Sequence, residues 1–82
     1  MSYQKPISID EAKHLKMGQI LYSRQYINRD GSPQRWRVNG RVERWRAFPE
    51  KILVLLKRGT REYGHLTEEN LWLYSLSEQD ET

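Results

Sequence analysis

The side chains best suited to bind a ligand in this sequence are arginines interleaved with aromatic residues. A planar guanidinium forms paired hydrogen bonds with phosphate or carboxylate groups and stacks on flat rings. Trp45 stands between Arg44 and Arg46, so its ring can stack a base or anchor a partner while the arginines bind the charged groups. The candidate binding residues are Arg35, Arg37, Arg41, Arg44, Trp45, Arg46, Lys57, Arg58 and Arg61.

Charge is segregated along the chain, although the net charge is only +3. Residues 24–61 contain nine Arg and two Lys against three acidic residues, whereas residues 62–82 contain six acidic residues and no Lys or Arg. A dense basic block with aromatic residues is typical of proteins that bind polyanions. The competing explanation is that a small domain with little core uses Arg to solvate its surface, and composition does not separate the two.

Nothing in the sequence favours catalysis. His14 and His65 are isolated from each other and from any carboxylate cluster, so no metal-ligand spacing is present. The five glycines are scattered and form no phosphate-binding loop, and the serines lack the context of a nucleophile. We therefore expect a binding protein that is not an enzyme and that uses no metal or other cofactor.

Length and composition restrict the class further. The 82 residues have room for one small domain, expected over 8–76, between a loose N-terminal segment 1–7 and a flexible acidic tail 77–82. The absence of Cys excludes disulfide scaffolds and thiol chemistry. No apolar run is long enough for a membrane helix or a signal peptide, so we expect a cytoplasmic protein with no membrane partner.

The residue pattern predicts one short helix followed by strands. Ser8 and Glu11 match a capping box and Gly18 is a suitable terminator, so a helix is expected from Ser8 to Lys16. Strands are expected over 20–27, 34–46, 51–57, 60–66 and 71–76, with a tight turn at 58–59 and one helical turn at 67–70.

Alternation within 34–46 predicts which side chains face the core. Trp36, Val38 and Val42 share one parity and should be buried, whereas Arg35, Arg37 and Arg41 share the other and should face solvent. The other expected core residues are Ile20 or Leu21, Ile52, Val54, Leu56, Leu66, Leu71 and Leu73, and Trp72 is also expected inside.

The position of Trp45 depends on Gly40. If Gly40 only bends a continuous strand, Trp45 joins the outward row of arginines; if a bulge resets the parity there, its ring is buried. A hairpin turn at Asn39 and Gly40 is a third option. The bent strand is favoured over the hairpin, because the hairpin arms would be only about four residues long.

Five short strands with a helical turn before the last one predict a mainly β fold. The succession is that of a five-stranded SH3-like small barrel, with the short N-terminal α-helix covering its open end. Closing a sheet into a barrel suits a chain with few core residues, because closure hides the strand edges.

Two segments resemble a known group of proteins. The run from Pro33 to Gly40, with Val42 and Trp45, and the run from Tyr63 to Asn70 are similar to short uncharacterised proteins encoded by phages and mobile elements. The resemblance covers roughly residues 8–76. It implies a cytoplasmic protein that works inside a bacterial host, and it carries no site residues.

Two functions from different classes fit these observations. One is a nucleic-acid-binding module, for DNA or RNA, that contacts mainly the backbone and is sensitive to salt. The alternative is a protein-interaction module, such as a phage- or mobile-element-encoded inhibitor that docks through the same residues on an acidic surface of a host factor. Attraction between the basic block and the acidic C-terminal segment also makes a homodimer an option.

Overall fold

The structure is a computed structural model that describes residues 5–78. Its helix α1 covers Ile9–Lys13 and starts at the N-cap Ser8. The hydroxyl of Ser8 accepts a hydrogen bond from the Glu11 N–H (3.1 Å), and the Ser8 N–H donates to Oε1 of Glu11 (3.0 Å). The predicted capping box is therefore confirmed.

Helix α1 is shorter than the sequence predicts. It ends at Lys13 because the carbonyl oxygen of Asp10, which would accept the N–H of His14 in a continuing helix, lies 2.7 Å from the ring Nδ1 of His14. The His14 N–H turns to the carbonyl of Glu11 instead, which tightens the last turn. Leu15 leaves the helix and still enters the core.

The capping box gives an expected pH dependence of stability. The pKa of Glu11 lies below its ordinary value because the backbone N–H of Ser8 donates to its carboxylate. Because the pKa is lowered, the ionised Glu11 carboxylate stabilises the fold fully at pH values above the ordinary pKa of a glutamate, about 4.3. This stabilisation is lost as the pH falls through the lower pKa that Glu11 has in the folded protein. Glu11→Gln should therefore cost about 0.5 kcal/mol at pH 7 and nothing near pH 2, in urea titrations of both proteins. An equal cost at both pH values would contradict this role of the charge.

Six strands come after the helix. They are β1 (Ile20–Ile27), β2 (Pro33–Val38), β3 (Glu43–Arg44), β4 (Ile52–Arg58), β5 (Glu62–Thr67) and β6 (Tyr74–Ser75). All pairings are antiparallel, in one open sheet of order β3-β4-β2-β1-β6, with β5 also paired to β4. The mainly β prediction is confirmed, whereas closure into a barrel is not shown by the pairings within residues 5–78.

The predicted long strand over 34–46 is two strands, which is why six are found instead of five. Both β2 and β3 run along the same edge of β4, because β5 pairs with its other edge. Glu43 is five positions after Val38 along the chain, but their partners Leu53 and Leu56 are only three positions apart. The segment 39–42 therefore leaves the ladder near Gly40, and the hairpin alternative is excluded because β2 and β3 pair with β4.

The predicted last strand over 71–76 is wrong in its first half. Leu71–Leu73 form a 3₁₀ helix, and only Tyr74–Ser75 pair, with β1. A 3₁₀ helix has three residues per turn, so its side chains do not alternate between two faces as they do in a strand. Trp72 is therefore directed outward and is 59% exposed, whereas the sequence predicts that it is inside. The helical turn expected at 67–70 is a hydrogen-bonded turn in which the Thr67 hydroxyl accepts from the Glu69 N–H (3.3 Å).

The core lies between the sheet and α1. Its buried apolar residues are Ile7, Ala12, Leu15, Leu21, Val38, Ile52, Val54, Leu56 and Leu66, and Trp36, Val42 and Leu71 are partly buried against them. Of the two candidates at the start of β1, Leu21 is the core residue. Leu73 is only half-buried.

The chain before α1 contributes to this core. Ile7, which belongs to the segment expected to be loose, is 3% exposed, and its N–H donates to the carbonyl of Tyr74. The start of that segment, 1–4, and most of the predicted tail, 79–82, lie outside the described residues. Within 5–78, no helix has the length and apolar character needed to cross a membrane.

Candidate functional site

The two faces of the sheet are distinguished by β4. Its residues Ile52, Val54 and Leu56 are buried, whereas the alternate residues Leu53, Leu55 and Lys57 point to the other side, here called the outer face. Directly opposed residues in an antiparallel pair project to the same face. The register of each neighbouring strand therefore identifies which of its side chains lie on the outer face.

One row of side chains crosses the outer face over four strands. Its members, in order from β5 through β4 and β2 to β1, are Tyr63, Lys57, Arg37 and Ile20. Arg35 continues the outer face one step further along β2, opposite Tyr22 on β1. The predicted outward direction of Arg35 and Arg37 is confirmed, and both side chains are exposed.

Tyr63 is the aromatic member of this row. The ammonium Nζ of Lys57 lies 5.4 Å from the centroid of its ring, within the range of a cation–π interaction. The side chain is nevertheless 65% exposed, so most of the ring is open to solvent. A flat ring beside three cations is a surface on which a base can stack while its phosphates meet Arg and Lys.

Arg35 also lines an open groove of about 650 Å³ between the β1–β2 loop and the β4–β5 turn. Arg35, Arg58 and Arg61 line it from the sheet and the turn, and Asp30 lines it from the loop. The pKa of Asp30 is lowered because the side chain and the N–H of Ser32 donate hydrogen bonds to its carboxylate. The groove therefore holds two carboxylates among its arginines, that of Asp30 with its lowered pKa and that of Glu62.

Arg58 differs from its neighbours because it forms an ion pair with Glu62 across the tight turn. Its charge is therefore partly neutralised. Within residues 5–78, Arg35, Arg37 and Arg61 have no carboxylate within ion-pair distance, so their guanidinium groups remain available to a ligand. These three and Lys57 are the cations that the outer face and its groove offer.

The remaining predicted residues, Arg41, Arg44, Trp45 and Arg46, lie elsewhere. Together with Lys13 and Pro49 they form what we name the helix-side surface. Two cavities form it, of about 350 and 270 Å³, and both are lined by Lys13 of α1 and Arg44 of β3. Arg44 is opposite Ile52, so it projects to the face that carries the core and not to the outer face. It is five residues from Arg37 along β4, or about 16 Å.

The structure therefore does not bring the nine predicted residues into one row. The outward row ends at Arg37, because β2 ends at Val38 and the chain leaves the ladder at 39–42, where the next residues lie beside α1. Trp45 is exposed (37%), so the buried position that a bulge would give is not found. The ammonium of Lys51 lies 5.2 Å from the centroid of its ring.

Sequence reasoning missed Tyr63 and Lys13 as members of these surfaces. The sequence does indicate the direction of Tyr63, because it has the opposite parity to Leu66 in the predicted strand and must project away from the core. No such signal exists for Lys13, because its proximity to Arg44 depends on how α1 packs against β3, a contact between segments about thirty residues apart.

The histidines do not form a metal site with acidic neighbours. Among residues 5–78, no three His, Cys, Asp or Glu side chains are grouped so that they could hold a metal ion. His14 belongs to the end of α1, and His65 lies on the outer face opposite Leu55.

Comparison with known proteins identifies no relative. No family model, curated protein or solved structure matches the chain. The arrangement of its own residues is therefore the basis for any functional proposal.

Proposed function

We propose that this chain binds single-stranded nucleic acid, DNA or RNA, on the outer face of its sheet. The observation that supports this most directly is the cross-strand row in which exposed Tyr63 stands beside Lys57 and Arg37. Arg35 and Arg61 extend the basic surface into the groove. Cations along a sheet with one open ring are the combination that tracks a phosphate backbone and stacks a base.

A single strand suits this surface better than a duplex does. In a duplex the bases are stacked on each other, so the Tyr63 ring has no free base face to receive. The row is nearly linear, with neighbouring strands about 4.8 Å apart, and it fits an extended chain laid across the strands. The predicted SH3-like closure of the sheet stays a prediction, and the proposal does not depend on it.

The test is fluorescence anisotropy of a labelled oligothymidylate of about ten nucleotides, titrated with protein between about 50 and 200 mM salt. Three to four phosphate contacts should lower affinity about 20- to 50-fold over this range, and a duplex of the same length should bind more weakly. Absence of binding at about 50 mM salt would refute the proposal and leave the acidic protein surface as the function to pursue.

Substitutions at Tyr63 distinguish the contribution of base stacking to affinity from the contribution of charge. Tyr63→Ala should weaken oligothymidylate binding about tenfold at every salt concentration, because one base–ring contact is lost. The slope of affinity against salt should stay unchanged, because no phosphate contact is removed. Tyr63→Phe, which keeps the ring, is the matched control and should bind like the wild type. A steeper or flatter slope in Tyr63→Ala would show that the ring acts only through Lys57.

A further inference from the structure

The helix-side surface is a second concave, basic feature that the outer-face proposal does not use. Its smaller cavity, of about 270 Å³, has Trp45 and Pro49 as apolar lining and Lys13, Arg44 and Arg46 as cations. Within residues 5–78, none of these three cations has a carboxylate within ion-pair distance. The cavity therefore combines an apolar interior with positive charge that has no partner in the described part of the chain.

The shape and exposure of Trp45 indicate what this cavity can receive. Trp45 is 37% exposed, against 65% for Tyr63, so a smaller part of its ring is open to solvent. Trp45 and Pro49 are the apolar lining of the cavity, and its volume of about 270 Å³ has room for one apolar side chain. Trp and Arg are among the residue types that most often dominate protein–protein binding energy when such a cavity is filled.

The charges around the cavity identify the partner chemistry. Lys13 comes from α1, whereas Arg44 and Arg46 come from β3 and the residues just after it, so cations from two separate segments of the chain line one cavity. The nearby acid Glu43 is opposite Leu53 and projects to the outer face. A ligand with several carboxylates around an apolar side chain would match this arrangement.

We propose that the helix-side surface binds an acidic segment of a partner protein, with one aromatic side chain of that segment inserted between Trp45 and Pro49. The site lies on the core-bearing side of the sheet, about 16 Å along β4 from Arg37. Nucleic acid on the outer face and an acidic segment on the helix-side surface can therefore be bound together, which makes the chain an adaptor. The two sites are independent, and either can exist without the other.

The probe is a fluorescein-labelled peptide of about eight residues, made of aspartate and glutamate around one central phenylalanine. Three proteins whose folding is checked by circular dichroism are compared: the wild type, Arg44→Glu/Arg46→Glu and Arg35→Glu/Arg37→Glu. The two double variants change the net charge by the same amount on different surfaces. If the melting curve of the first variant shows that it does not fold, Arg44→Gln/Arg46→Gln is compared with Arg35→Gln/Arg37→Gln, so that the two changes in net charge stay equal.

The two double variants should lose different amounts of affinity for the peptide. Arg44→Glu/Arg46→Glu should bind the peptide at least tenfold more weakly than the wild type, whereas Arg35→Glu/Arg37→Glu should bind it within about threefold of the wild type. A peptide with alanine in place of phenylalanine should bind about fivefold more weakly to the wild type. Saturating peptide should leave oligothymidylate affinity nearly unchanged.

Several results would overturn the inference. Equal loss of peptide binding in both double variants would show attraction by net charge alone, and equal binding of the two peptides would show that the cavity is not used. Displacement of the peptide by oligothymidylate would assign the surface to nucleic acid. Absence of peptide binding at about 50 mM salt would also refute it. Of these results, only displacement by oligothymidylate bears on the outer-face proposal, because it would place nucleic acid on the helix-side surface.

Discussion

Arg35→Glu/Arg37→Glu should reduce affinity for oligothymidylate about 100-fold at about 50 mM salt. Both guanidinium groups are exposed on the outer face, and they have no ion-pair partner within residues 5–78 that the substitution would release. The substitution removes two phosphate contacts and places two carboxylates beside Lys57, so repulsion adds to the loss. The slope of log affinity against log salt should flatten from about −2.5 to about −1, since each phosphate contact on a single strand contributes about −0.7 and two are removed.

The matched control is Arg44→Glu/Arg46→Glu, which changes the net charge equally on the helix-side surface. Its oligothymidylate affinity should fall less than about fivefold, because Arg44 lies about 16 Å along β4 from Arg37, which is more than the Debye length at about 50 mM salt and about twice it at physiological salt. Melting temperatures of both variants should stay within a few degrees of the wild type, since all four arginines are exposed. Similar losses in the two variants would place the binding surface elsewhere or show that only net charge matters.

The parts of the fold that the sequence predicts well are those determined by neighbouring residues. The capping box depends on Ser8 and Glu11 alone, and the bounds of β1 agree with the predicted strand over 20–27. The outward direction of Arg35 and Arg37 is determined by alternation within one unbroken strand. In each case the necessary information lies within about eight residues.

The errors occur where local pattern and tertiary pairing disagree. Apolar residues at 71–73 fit a strand as well as a 3₁₀ helix, and only the pairing of β1 with Tyr74–Ser75 shows that the ladder begins later. Strict alternation of side chains would extend the outward row of arginines past Gly40. In the structure, the segment 39–42 leaves the ladder, and the residues that follow lie beside α1. The division of one predicted site into two surfaces could not be read from alternation.

The largest expected loss of stability is at Trp36. Its ring packs against the core and covers Gly64 of β5, where an added Cβ would lie only 3.1 Å from ring atom Cζ3. Trp36→Ala removes that packing and leaves a cavity above the backbone of Gly64, so it should cost about 3 kcal/mol. This is a large part of the total stability of a domain of this size, and the melting temperature should fall by more than about 10 °C in calorimetry.

Trp72→Ala is the matched control, because it makes the same substitution at a ring that is 59% exposed and should cost less than about 1 kcal/mol. A double-mutant cycle then tests the contact itself. Gly64→Val should destabilise the wild type by about 1–3 kcal/mol, because its side chain must displace the Trp36 ring. The same substitution in the Trp36→Ala background should cost much less, since the methyl groups then fill the space that the ring has left. Additive costs would show that the ring of Trp36 does not lie over Gly64 in solution.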